Sequence, residues 1–153
     1  MKLTDHLPPS LVKVPLAANE KTAAITELVD LVVSQVQITS RDRLLKAVLD
    51  REAQRSTGIG HGFAIPHAKC DAVDQLVIAL GRCHEPIDFA AIDGQPVSLI
   101  ALLASPIHAT TTHIQALAKL SRLVTNGAML NQLLAATSSE ELYRVVSAND
   151  VEA

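Results

Sequence analysis

The chain carries near its middle the segment STGIGHGFAIPHA, which runs from Ser56 to Ala68. Three glycines alternate with other residues in its first half, and a proline stands immediately before a histidine in its second half. Pro66 has a fixed φ and biases Ile65 towards an extended conformation, so the path of the chain into His67 is restricted. The segment therefore predicts a tight loop that holds the imidazole of His67 in one position.

Five residues of this segment are predicted to support His67: Thr57, Gly58, Gly60, Gly62 and Pro66. Glycine has no Cβ atom and allows backbone N–H groups to approach a ligand closely. A lone histidine beside a strand is otherwise more often a hydrogen-bonded structural residue. The glycines and the proline favour a functional His67, whose neutral imidazole would be a nucleophile near pH 7. The sequence leaves open which ring nitrogen would react.

Composition restricts the class of protein. The chain has 153 residues, 48% of them hydrophobic, which suits one domain with a substantial core, and we expect residues 1–153 to form that domain. The net charge is −3, and no basic cluster is interleaved with aromatic residues, so nucleic acid is not an expected partner. No apolar run approaches the ~20 residues that span a bilayer, and no signal peptide pattern opens the chain. Two cysteines fit a reducing compartment, so we expect a cytoplasmic protein without membrane insertion.

Apolar periodicity predicts five helices. Asn19 is predicted to cap the first helix, Ser40 the second, and a capping box at residues 138–141 the last. The third helix is expected to end at Gly127 and to bury four residues: Ile114, Leu117, Ala118 and Val124. The predicted ranges are 19–34, 40–54, about 111–126, 129–136 and a final helix from 138.

Short apolar runs at 63–65, 76–80 and 97–104 predict strands, and the last two lack the alternation of a half-exposed strand. Residues 89–92 are a candidate partner strand for 97–104, joined to it by a turn at Asp93-Gly94. The order of elements predicts an α/β fold, with a mixed and mostly buried sheet flanked by helices.

Two further residues are candidates for the site at His67. His113 lies in the first turn of the predicted third helix, where unpaired N–H groups and the helix dipole favour an anion; the alternative is a solvent-facing histidine. Arg51 precedes the glycine loop by less than two helical turns, and its planar guanidinium suits phosphate. Its alternative is a surface ion pair with Asp50 or Glu52.

Two other classes of site are alternatives for these residues. A zinc site could use five potential ligands, namely His61, His67, Cys70, Cys83 and His84, although their spacings match no usual zinc-finger pattern and buried thiols are the simpler interpretation. Nucleotide binding by the glycines is disfavoured, because the third glycine comes one residue early and no helix follows.

The segment resembles the phosphorylation-site signature of the fructose/mannitol type of enzyme IIA, from the bacterial phosphoenolpyruvate-dependent phosphotransferase system. The matching core is Gly60-x-x-Phe63-Ala64-Ile65-Pro66-His67-Ala68. The resemblance implies that His67 accepts a phosphoryl group. It also implies that His113, in the pattern His113-Ile114-x-x-Leu117-Ala118-x-Leu120-Ser121, stabilises that group, and that Arg51 contacts its oxygens.

The resemblance implies a fold and a function as well. The fold would be that of the fructose/mannitol-type IIA, and the protein would take phosphate from an HPr-type carrier without a metal or organic cofactor. It would pass the phosphate to a IIB protein, or regulate soluble proteins according to its phosphorylation state. We favour the hypothesis that the protein is a nitrogen-type regulator over the hypothesis that it is a sugar-transporter component, because no linker or second domain is evident in the chain. Two residues depart from the pattern, His61 and Phe63, and we predict no role for His61.

Overall fold

The computed structural model describes residues 1–150. Its single sheet has six strands: β1 Val12–Leu16, β2 Gly58–Gly60, β3 Phe63–Ala64, β4 His67–Lys69, β5 Val77–Ile87 and β6 Val97–Ser105. The described α-helices are α1 Lys21–Gln35, α2 Arg41–Gln54, α3 Thr110–Leu123, α4 Gly127–Ala135 and α5 Ser139–Ala148. Two 3₁₀ turns, Leu3–Asp5 and Pro9–Leu11, precede β1.

Strand β6 is at the centre of the sheet. It pairs antiparallel with β5 on one side and parallel with β3 and β4 on the other. Beyond these, β1 pairs parallel with β5, and β2 pairs antiparallel with β3. The predicted mixed sheet is therefore confirmed.

The side of β6 that carries β3 and β4 determines where the candidate site lies. In β3, Phe63 pairs with Leu99 of β6. After Ile65 and Pro66 the chain pairs with β6 again as β4, where His67 lies opposite Leu103. Pro66 has no N–H to donate, but its carbonyl oxygen accepts a hydrogen bond from the N–H of Leu103 at 3.0 Å. The hydrogen bond from Leu103 and the pairing of β4 with β6 hold His67 near the carboxyl end of β6.

The core follows from the apolar runs. In β6 only Ser98 is partly exposed, and residues 77–81 of β5 are all buried. Helix α1 packs against β5, α2 against β4, α3 against β6 and α5 against β1. The apolar runs predicted at 76–80 and 97–104 are buried apart from Ser98, because helices and neighbouring strands cover them, whereas β5 continues beyond its run to exposed residues at 84–86.

One strand prediction is wrong, and three strands were not predicted. Residues 89–92 form no strand; Phe89 is fully buried in a loop, and β6 takes β5 as its antiparallel partner instead. Asp93-Gly94 does form a turn, in which the N–H of Gly94 donates to the carbonyl of Ala91 at 2.9 Å. Strands β1, β2 and β4 were not predicted, since each is short and contains proline, glycine or polar residues.

The helix predictions held for the caps at Ser40 and Ser138, whose side chains accept from the N–H groups of Arg43 and Glu141. The first helix is capped by Glu20 rather than Asn19, because the Glu20 carboxylate accepts from the N–H of Ala23 at 2.6 Å. The region after α3 also differs. Asn126 caps α4 there, so Gly127 begins that helix instead of ending α3.

The prediction of which residues α3 buries is also wrong in part. Ile114 is 60% exposed and Ala118 is exposed, whereas His113, Ala116 and Leu120 point inward. Apolar spacing alone placed the stripe one position too far along the helix, because it counted Ile114 and ignored a buried histidine.

No helix within residues 1–150 is both long enough and apolar enough to cross a membrane.

Candidate functional site

His67 begins β4, and its ring is held by the backbone two residues earlier. The Nδ1 atom lies 2.7 Å from the carbonyl oxygen of Ile65. A carbonyl oxygen can only accept, so Nδ1 must carry the proton and donate it. In the neutral ring, Nε2 therefore keeps its lone pair and is the nitrogen able to act as a nucleophile.

The surroundings of His67 favour its neutral form. Burial lowers the pKa of the ring and the charge of Arg51 lowers it further, while the hydrogen bond to Ile65 and the charge of Glu52 act in the opposite direction. The net shift is below the ordinary value for histidine. His67 is thus set to be an unprotonated base at neutral pH.

A buried carboxylate supports the loop that carries Ile65. Glu52 is 5% exposed and accepts from the N–H and the hydroxyl of Thr57, at 2.8 and 2.5 Å. Lys21 neutralises Glu52 from α1 at 2.8 Å. The carbonyl of Thr57 then accepts from the N–H of Ile65 at 3.1 Å. Glu52, Thr57 and Ile65 form a continuous support for the His67 ring.

The glycines have two separate tasks. Gly60 and Gly62, with His61 between them, have φ values of 96°, 74° and 59°, and they turn β2 into β3. Gly58 instead lies against Ala91, where a Cβ atom would come within 2.7 Å of the Ala91 side chain. Of these residues only Gly58 lines the cavity at His67, and His61 is exposed at the tip of the turn. Gly60 and Gly62 therefore shape the hairpin without approaching the imidazole.

His113 is not the solvent-facing residue of the alternative interpretation. It is 6% exposed, and its ring centroid lies 5.5 Å from that of His67, with the planes tilted by 59°. Its Nδ1 atom is 2.5 Å from the hydroxyl of Ser105, which is fully buried. Burial, and then the charges of His67 and Lys69, lower the pKa of His113 to about 4. Two neutral imidazoles thus lie side by side.

Arg51 lies at the same place and has no carboxylate partner among residues 1–150. Its neighbours are occupied elsewhere: Asp50 pairs with Lys46 at 2.6 Å, and Glu52 pairs with Lys21. The guanidinium donates a hydrogen bond to the carbonyl of Arg55 at 2.9 Å. The surface ion pair considered from the sequence is therefore absent from the described part of the chain, and this cation remains available to an anion.

Two depressions meet at His67 and Arg51, which line both. The larger, about 560 Å³, is otherwise mostly apolar, with Ile59, Ile92 and Leu117 among its walls. The smaller, about 360 Å³, adds four polar side chains, namely Asp50, Gln54, Lys69 and His113, and the Asp50 carboxylate there is paired with Lys46. An apolar docking area thus adjoins a cationic, hydrogen-bonding recess.

The potential zinc ligands do not assemble. Within residues 1–150 no group of three or more His, Cys, Asp or Glu side chains could hold a metal ion. His84 is exposed on β5, whereas burial raises the pKa of the Cys83 thiol to about 11, which disfavours the thiolate that zinc requires.

Comparison with known proteins identifies the family. The family model described as phosphoenolpyruvate-dependent sugar phosphotransferase system, EIIA 2, matches residues 5–149. The chain belongs to this EIIA family. The resemblance drawn from the His67 segment is confirmed, and a phosphotransferase component is the class of protein that the family supports.

Relatives of this EIIA chain have two kinds of names. It is 36% identical over 98% of its length to the fructose-specific EIIABC component of Bacillus subtilis, but spans only 24% of that longer protein. It is 32% identical to the nitrogen regulatory protein of Bradyrhizobium diazoefficiens, covering 96% of this chain and 95% of that one. Both a sugar-specific and a nitrogen-regulatory protein are thus similar in sequence to this chain.

Solved structures confirm the fold of this EIIA chain. The nitrogen regulatory protein IIA-Ntr from Neisseria meningitidis superposes with a TM-score of 0.85 at 32% identity, covering 94% of this chain and 98% of that one. The Escherichia coli complex of enzyme IIAMTL with phosphorylated enzyme IIBMTL gives a TM-score of 0.77 at 19% identity, covering 91% and 95%, which is a likeness of fold alone.

Sequence reasoning missed two residues of this site, Ser105 and Lys69. Lys69 is two residues after His67 in β4, and strand alternation puts both on one side, which was an available signal. Its ammonium donates to the hydroxyl of Thr110 at the start of α3, at 3.2 Å. Ser105 ends an apolar strand and gave no signal, because its partner His113 is defined only by how α3 packs on β6.

Proposed function

We propose that this EIIA protein is a phosphoryl carrier that accepts phosphate on His67 from an HPr-type protein and passes it on. The observation that carries the proposal is the Nδ1–H bond of His67 to Ile65, which leaves Nε2 with a fixed lone pair. Nε2 attacks the phosphorus of the incoming phosphohistidine in line. One N–P bond forms as the other breaks, and the donor imidazole leaves with the electron pair.

The charge of the transferred group also favours this site. A phosphoryl group adds nearly two negative charges at pH 7. Arg51 and Lys69 supply positive charge around the smaller depression, and His113 supplies an imidazole within reach. Such preorganised donors stabilise charge as it develops, without a metal or organic cofactor. Thr57, Gly58, Gly60, Gly62 and Pro66 support the loop in this proposal.

The direct experiment is transfer from phosphorylated HPr to the purified protein, followed by ¹⁵N–³¹P coupling measurements on the product. We expect acid-labile phosphate on Nε2 of His67, because Nδ1 is occupied by the Ile65 carbonyl. Phosphate on Nδ1, or on another residue, would contradict the proposal.

The pH dependence follows from the two histidine pKa values. Both shifts are downward, so both rings are expected to be neutral at pH 7 and to protonate only below the ordinary value of about 6.5. The rate of phosphate acceptance should stay constant as the pH falls from 8 towards that value, and then decrease as His67 loses its lone pair to a proton. NMR titration of the ring protons measures both pKa values. A His67 that titrates above the ordinary value would contradict this expectation.

Two kinds of protein could receive the phosphoryl group from His67 or respond to it. We favour a nitrogen-type regulator that acts in the cytoplasm through soluble partners, and the 32% identity to the nitrogen regulatory protein of Bradyrhizobium diazoefficiens supports this choice. The alternative is the IIA component of a fructose- or mannitol-class transporter, which would donate its phosphate to a IIB protein. Enzyme IIAMTL forms a complex with phosphorylated enzyme IIBMTL.

One assay separates these two acceptors. Phosphorylated protein is mixed with a IIB protein and membranes from the same cell, with fructose or mannitol added. We expect no sugar phosphorylation, whereas the unphosphorylated protein should retain specific soluble partners from lysate. Sugar-dependent loss of phosphate from His67 would establish the transporter reading instead.

A further inference from the structure

Ser105 is a buried polar residue at the carboxyl end of β6, directly below the site. Its side chain is fully buried, and its hydroxyl lies 2.5 Å from Nδ1 of His113. Within residues 1–150, that ring nitrogen is the one hydrogen-bond partner of the hydroxyl. The backbone of Ser105 is also fixed, since its carbonyl accepts from the N–H of Cys70 at 2.8 Å.

These contacts determine the direction of the hydrogen bond. A buried hydroxyl that donates to nothing loses roughly 1–3 kcal/mol. If Nδ1 of His113 carried the proton, the Ser105 hydroxyl would accept it and have no acceptor for its own hydrogen. If the hydroxyl donates to the lone pair of Nδ1, both groups are satisfied, and the ring proton must then lie on Nε2.

We propose that Ser105 is a positioning residue that fixes His113 in the Nε2–H tautomer and so makes it a hydrogen-bond donor to the phosphoryl group on His67. This inference rests on the proposed carrier function and assigns how His113 serves it. Nε2 is the ring nitrogen that Ser105 leaves available to the depression shared with His67 and Lys69.

The tautomer decides the sign of the interaction. With a proton on Nε2, neutral His113 donates to a phosphoryl oxygen without first taking up a proton. In the other tautomer Nε2 would present a lone pair, which repels an anionic oxygen. The two histidines thus have opposite tautomers. In His67 the carbonyl of Ile65 accepts from Nδ1–H, so Nε2 has a lone pair and can act as the nucleophile. In His113 the hydroxyl of Ser105 donates to Nδ1, so Nε2 carries the proton and can donate it to the phosphoryl group.

The test is ¹⁵N NMR of the histidine rings in the unphosphorylated protein. We expect His113 to show an unprotonated Nδ1 and a protonated Nε2 at pH 7, and His67 to show the reverse. Ser105→Ala should shift His113 towards a mixture of tautomers. A protonated Nδ1 on His113 in the wild-type protein would overturn the inference by itself, even if the variant failed to fold.

A rate measurement completes the test. In Ser105→Ala the transfer of phosphate from HPr should slow by roughly 10- to 100-fold, the range for losing the hydrogen-bond partner of a site histidine in metal centres. Ser98→Ala is the matched control: it lies in the same strand, is partly buried and lines neither depression, and should change neither the tautomer nor the rate. An unchanged rate in Ser105→Ala would overturn the positioning role. If HPr never phosphorylated the wild-type protein, the carrier proposal would fail, while the NMR result would still decide the tautomer.

Discussion

His67→Ala should abolish the uptake of acid-labile phosphate from phosphorylated HPr. The expected loss is complete, because the substitution removes the nitrogen that forms the new bond and no other imidazole is held in the same way. His113, whose ring centroid lies 5.5 Å from that of His67, is buried and has its Nδ1 atom against Ser105. Labelling with ³²P and gel separation measures the effect.

Two control variants keep this result specific. His84→Ala removes an exposed histidine on β5, and His61→Ala removes the exposed histidine at the tip of the β2–β3 turn. Both should be labelled as fully as the wild-type protein. Undiminished labelling of His67→Ala would refute the assignment of the nucleophile, and loss of labelling in one of the controls would indicate another histidine.

His113→Ala and Arg51→Ala should both accept phosphate but transfer it more slowly, by roughly 10- to 10³-fold, the range for losing one charge-stabilising donor. His113 contributes an imidazole 5.5 Å from His67, and Arg51 contributes a guanidinium that has no carboxylate partner among residues 1–150. Single-turnover rates with phosphorylated HPr measure both effects. The two variants should differ in stability, since His113→Ala leaves the Ser105 hydroxyl buried and unpaired, at a cost of about 1–3 kcal/mol.

A matched arginine tests whether the effect at Arg51 is local. Arg43 lies on the same helix and pairs with Asp71 on the surface, so Arg43→Ala should leave the transfer rate unchanged. Arg51→Lys should fall between Arg51→Ala and wild type, because lysine keeps the charge but loses the planar fork. If His113→Ala removed all labelling while His67→Ala did not, the roles of the two histidines would be reversed.

Local sequence was sufficient to predict two helix caps, one turn and the two buried strands. Ser40 and Ser138 cap their helices through contacts three residues away, and the turn at Asp93-Gly94 closes within four residues. The apolar runs of β5 and β6 predicted buried strands, because an uninterrupted run can only be covered on both faces. The resemblance of the His67 segment to the EIIA signature also led to the correct family.

The sequence alone determined which residues could do chemistry and how the chain approaches His67, since Ile65, Pro66 and His67 are consecutive. Only the tertiary structure decided what those residues meet. The packing of α3 on β6 turned His113 inward onto Ser105 and left Ile114 exposed, and the contact of α1 with α2 paired Lys21 with Glu52. Such contacts join residues that are far apart in sequence or on different elements. The direction of the hydrogen bond between Ser105 and His113, on which the proposed tautomer of His113 rests, depends on the burial of Ser105, which no local pattern encodes. The tautomer of His67, in contrast, follows from the carbonyl of Ile65 two residues earlier.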